Sequence, residues 1–161
     1  MAVYQVVEIG DPILKEIAKP IKNINERVHL LLDNLRDTMR EMNGCGLAAP
    51  QIGIPKRAIV VEVEETLYEF LNPEIAEGQG EVSDIEACLS IPGKRGLVKR
   101  MDKIVIKGQN RDGVDVSIEA EGFLARAFQH EIDHLDGILY VDRAEWVESA
   151  READEEIDYQ E

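Results

Sequence analysis

The sequence predicts an α+β protein, with mostly antiparallel strands packed around a central helix and a second helix near the N-terminus. Three observations carry this. Apolar residues recur at helical spacing in two separate stretches, and between them lie short β-branched runs bounded by turn residues. The length of 161 residues suits one domain, large enough to bury roughly two thirds of its unfolded surface without disulfide staples.

The elements follow in order. Gly10-Asp11-Pro12 is a turn able to open a short helix, with Pro12 at its first position. A longer helix is expected over residues 26–42, because Val28, Leu31, Leu32, Leu35, Met39 and Met42 form one apolar stripe. Asn25 is its expected N-cap and Asn43-Gly44 its stop. His29 falls off the centre of the stripe and reads as a boundary residue. Strands are expected over 58–63 and over 68–71, the latter stopped by Asn72-Pro73. Residues 103–107 and 114–118 flank Asn110-Arg111-Asp112-Gly113, whose Asp-Gly pair suits a hairpin. The period then returns to helical: Phe123, Ala127, His130 and His134 share a face, with Leu124, Phe128 and Leu135 beside it, and Gly137 can end the helix in a left-handed conformation.

The catalytic domain is expected to span residues 1–145. Residues 146–161 read as an acidic tail, a helix end that frays; across 145–161, Arg151 is the only base among eight acids. The net charge of -15 argues against binding a nucleic-acid backbone, which takes clustered Lys and Arg. By the same argument residues 145–161 are not expected to bind ribosomal RNA. The N-terminal residues do not read as a signal or transit peptide, and no apolar run approaches a membrane span of about 20 residues. The expected setting is therefore a reduced cytoplasm, where Cys45 and Cys88 are not expected to form a disulfide.

The chemistry concentrates in Gln129-His130-Glu131-Ile132-Asp133-His134. Residues four apart share a helix face, so His130 and His134 can close on one metal ion, with Glu131 beside it to take a proton from water. A hydrolytic site needs a third protein ligand. A distant Asp, a distant Glu and Cys88 all remain open, and Cys88 could equally be a small buried apolar residue. Gly44-Cys45-Gly46-Leu47-Ala48-Ala49-Pro50-Gln51 joins the first helix to a strand. Its small residues admit a close backbone approach, and the Gln51 amide could donate to a developing oxyanion; a plain structural loop is the simpler reading.

Taken together, three ordered segments resemble peptide deformylase: the G-x-G-x-A-A-x-Q loop at 44–51, the E-G-C-L-S segment at 86–90 and the Q-H-E-x-D-H helix at 129–134. The resemblance implies that Cys88, His130 and His134 hold one divalent metal ion, Fe(II) in the cell, with Ni, Co or Zn able to replace it. It implies Glu131 as general base, Gln51 and the Leu89 N–H as oxyanion donors, and Cys45, Gly46 and Ala87 as substrate-binding positions. The implied substrate is the formyl group on the initiator methionine of nascent peptides, met in transient proximity to the ribosome. One departure stands out: the family's glycine before the cysteine is Ala87, so an ordinary backbone angle is expected there. Arg126 is open between the pocket rim and solvent, and Glu86 and Asp133 between orienting the ligands, with Arg95 or Arg100, and surface pairing. Two rival readings are a zinc-type metallopeptidase and a non-catalytic binding protein stabilised by metal.

Overall fold

The computed structural model describes residues 3–150. A five-stranded antiparallel sheet has the order β1-β2-β3-β6-β7, formed by Gly46–Ala48, Ala58–Val63, Thr66–Gln79, Lys103–Gln109 and Asp115–Glu121. A second sheet of three antiparallel strands has the order β4-β5-β8, formed by Val82–Cys88, Ile91–Arg100 and Trp146–Ser149. Helix α1 is Glu26–Glu41, α2 is Gly122–Leu135 and α3 is the single turn Tyr140–Arg143.

Strand β2 shows why the two long helices lie where they do. Its residues are buried on both faces, so alternation sorts them between two cores. Ala58 and Val60 join Leu32, Leu35 and Met39 of α1. Ile59 and Val61 join Phe128, Ile132 and Leu135 of α2. Phe128 also meets Tyr68 and Phe70 edge-to-face, at 5.4 and 5.5 Å between ring centroids. The other side of α2 turns to the small sheet, where Arg126 donates to the carbonyls of Val82 and Val98. Helix α2 is thus the central element, gripped between the sheets.

The expected punctuation holds. Asn25 caps α1, its Oδ1 accepting from the N–H groups of Arg27 and Val28. Asn43 follows the helix with a φ of 56°. Gly137, at φ 72°, turns the chain after α2, and the Ile138 N–H donates to the Asp133 carbonyl at 2.9 Å. Asp11 caps a 3₁₀ turn over Pro12–Lys15, with proline at its start.

Three expectations are corrected. The strand expected to stop at Asn72-Pro73 continues as β3 to Gln79. Its register with β6 slips between Leu71 and Glu74. Asn72 takes φ 50° there, with its side chain bonded to both backbone groups of Ile21. Proline falls inside the irregularity, where its missing N–H removes no ladder bond. Residues 46–48, expected as loop, form β1. Residues 146–149, expected to begin a fraying helix, form β8, which pairs with β5, so the boundary at 145 cuts into the small sheet. The one acid of β8 is matched across the sheet, Arg95 donating to Glu148 at 2.8 Å, and Lys94 donates to Ser149 Oγ at 3.2 Å. Gly96 lets the strand approach, since a Cβ there would stand 2.8 Å from the Trp146 carbonyl oxygen. The rest of the expected tail, residues 151–161, lies outside the described residues.

Candidate metal centre

His130 and His134 project from consecutive turns of α2, and Cys88 ends β4, the strand facing them. Each offers one ligand atom, and the three atoms lie within 4.8 Å of one another. Cys88 Sγ stands 3.4 Å from His134 Nε2. A tetrahedral ion about 2.3 Å from a sulfur and about 2.0 Å from a nitrogen would separate those two ligands by about 3.5 Å, so the donor set fits such an ion.

The ligands are held from behind. His130 Nδ1 donates to Glu86 Oε1 at 2.8 Å, which aims Nε2 at the cluster. Glu86 lies two residues before Cys88, on the same side of β4. It receives Arg100 through Nε and Nη2, at 2.8 and 2.9 Å, and Arg126 through Nη1 at 2.5 Å. Burial works against its charge, but Arg100 and His130 outweigh burial and hold the carboxyl well below the usual range. Arg126, left open between rim and solvent, is buried and clamps Glu86 to the backbone of β4 and β5. Asp133 pairs with Arg100 and Arg143. Arg95 pairs with Glu148 at the surface.

The two imidazoles differ. Burial and the neighbouring His130 keep His134 well below its ordinary range. For His130 burial acts in the same sense, yet the Cys88 sulfur and Glu86 carboxylate overcome it and draw the ring upward. Positive charge is therefore favoured beside Cys88 and Glu86, whether carried by a proton or by a divalent cation.

Glu131 turns toward the loop at 44–51. Its Oε1 is buried without a hydrogen-bond partner. Its Oε2 lies against Gly46, where a Cβ would come within 2.6 Å. Gly46 thus makes room for this carboxylate. Burial, more than any charge, pushes the Glu131 carboxyl up to about 7. Gln51 is fully buried and fixed at both ends: Oε1 accepts from the Ala48 N–H at 3.0 Å, and Nε2 donates to Ser90 Oγ at 3.1 Å while facing Cys88 Sγ at 3.6 Å.

Cys88, His130, Glu131, Gln51 and Glu86 border a cleft of about 270 Å³ between β1 and β4. The chain matches the model of the polypeptide deformylase family over residues 3–150. It belongs to the peptide deformylase family. It is 64% identical over 145 residues to a peptide deformylase of Carboxydothermus hydrogenoformans, covering 90% of this chain and 95% of the relative. The crystal structure of the peptide deformylase from Thermotoga maritima superposes with a TM-score of 0.88 at 38% identity, covering 91% of this chain and all of that one. A Met-Ala-Ser-bound deformylase of class I type b from Acinetobacter baumannii gives 0.86 at 38% identity, over 88% of this chain and 98% of that one.

The remaining walls of this cleft include Cys45, Gly46, Ala87 and Leu89. Burial, with Glu131 nearby, raises the Cys45 thiol to about 11, so it stays protonated at neutral pH. Ala87 lies in β4 and is not among the described residues with positive φ, so the alanine is unstrained. Ile85, Phe123 and Glu62 also line the cleft and were not read from the sequence. The signal for Phe123 was a large aromatic at the start of a helix; the structure leaves it 41% exposed. For Ile85 it was the alternation with Glu86 that a strand imposes.

Proposed function

We propose that this chain hydrolyses the N-formyl amide of the initiator methionine on nascent polypeptides and releases formate. The observation that carries the proposal is the meeting of Cys88, His130 and His134 within 4.8 Å at the wall of a cleft that Glu131 also lines, its Oε1 buried without a partner. In this reading those three residues hold one divalent ion, Fe(II) in the cell, with Ni, Co or Zn as substitutes. When bound, such an ion would supply Lewis acidity and make water there easier to deprotonate near neutral pH.

Glu131 takes the water proton and returns it to the leaving amine. A carboxyl raised to about 7 by burial suits both transfers near neutral pH. Gln51 Nε2 and the Leu89 N–H donate to the oxyanion that forms on the formyl oxygen. Ala48 and Ser90 hold the Gln51 amide in place, and the N–H that faces the Cys88 sulfur is the one that turns to the oxyanion. Gly46 and Ala87, on facing strands, offer backbone to an extended peptide in the manner of an added strand, and Cys45 lines the wall beside them. The natural partners are formyl-Met chains emerging near the ribosome in the cytoplasm. Among the described residues no helix is long and apolar enough to cross a membrane.

The test is formate release from a formyl-Met peptide, using anaerobically prepared protein loaded with Fe(II) or Ni(II). The parent should turn over, and Glu131→Ala should bind the metal without turnover. A parent that binds one metal per chain and releases no formate would sink the proposal.

A further inference from the structure

The charged pattern behind the site extends beyond Glu86. Asp133 accepts from Arg100 Nη1 through Oδ2 at 2.7 Å. It also accepts from Arg143 through both oxygens, Nε to Oδ2 at 2.6 Å and Nη2 to Oδ1 at 3.0 Å. Arg143 ends α3 and lies outside all three motifs. Its side chain is 45% exposed, against 11% for Asp133, 3% for Arg100 and 6% for Glu86. A run of charge-assisted hydrogen bonds therefore leads from His130 through Glu86, Arg100 and Asp133 to a guanidinium at the surface.

The planes of these groups transmit orientation. Arg100 gives Nε and Nη2 to Glu86 and keeps Nη1 for Asp133. Asp133 shows Arg100 one oxygen, whereas Arg143 holds both in a fork. Arg143 thus sets the plane of the Asp133 carboxylate. That carboxylate fixes the third corner of Arg100, Arg100 sets Glu86, and Glu86 sets the His130 ring.

We infer that Arg143 is a positioning residue for the metal ligand His130, acting through Asp133, Arg100 and Glu86. The inference rests on the metal-site reading above. The plainer role for Arg143 is to pin α3 against α2. Lys15 separates the two, since it ties the same turn of helix through Asp142 at 2.9 Å and takes no part in the run.

The experiment loads the full chain with Co(II), records the visible ligand-field spectrum, and follows Co(II) release to a chelator. Arg143→Ala should shift the bands and release Co(II) roughly 3–10-fold faster, less than the loss typical of a residue that touches a ligand directly. Arg143→Lys, which keeps charge without the fork, should behave like the alanine variant. Lys15→Met should keep the parent spectrum and rate. The inference is overturned if Arg143→Ala matches the parent, if Arg143→Lys restores both readouts, or if Lys15→Met reproduces the alanine effect. A parent that takes up no Co(II) overturns the metal-site reading and this inference with it.

Discussion

Gly46 illustrates how narrowly one position can serve a site. Its missing side chain seats the Glu131 carboxylate, so a methyl group there must displace either the loop or the base. Gly46→Ala should lower kcat by about 100-fold, with a smaller change in KM, since displacing a catalytic group by about 1 Å costs that much. Steady-state kinetics on a formyl-Met peptide checks this. Glu131 leads to a second expectation. Its carboxyl is raised in the folded chain, so its contribution to stability is full below the unfolded value near pH 4.3 and is lost as pH climbs through about 7. Glu131→Gln should therefore match the parent in acid and resist urea better than the parent above about pH 8, in metal-free protein. The shared helix face of His130 and His134 was legible in the sequence because four-residue spacing on a helix is a local property. Cys88 and Gln51 were open candidates from their own segments and were singled out only by the resemblance, because nothing in either segment says that the two lie together. The support given by Arg126 was not legible, since an Arg one turn before a ligand reads equally well as solvated.

At the scale of elements, the helix boundaries follow local chemistry and can be tested locally. Asn25→Ala removes the acceptor for two N–H groups of α1 and should cost about 1 kcal/mol in urea denaturation. Gly137→Ala should cost roughly 2 kcal/mol or more, because it combines a positive φ with a methyl group 2.5 Å from the Lys15 carbonyl oxygen. Strands β2, β6 and β7 were readable from β-branched runs and the Asp-Gly turn. Strands β4 and β5 were not. Their inward positions include Glu86 and Arg100, charges that satisfy each other only across the sheet, so the alternation lacks the apolar face by which a strand is recognised. Strand β8 was hidden likewise, its one acid, Glu148, answered by Arg95 from a distant segment.

For the molecule as a whole, the proposed ion joins the two sheets, because Cys88 belongs to the small one and α2 packs on the large one. Metal binding should therefore raise global stability, by about 2.7 kcal/mol at a free metal concentration 100 times Kd. Calorimetry across a Ni(II) titration would show the unfolding temperature rise with concentration. Glu131→Ala should retain that rise and His134→Ala should lose it. An enzyme whose base is dispensable for folding and whose ligands are not would give this pattern.

The separation of Cys88 from His134, 46 residues along the chain, bears on how the protein is made. An unfolded chain offers the thiol and the imidazole pair as strangers, and closing a loop of that length on an ion is entropically opposed. In the folded chain the three donors are brought together by the pairing of β4 with β5 and the docking of α2, so the proposed ion would be captured late, once those elements are in place. Metal choice is thereby deferred until geometry can exercise it, and a nascent chain has little means of seizing the wrong, tighter-binding cation on the way.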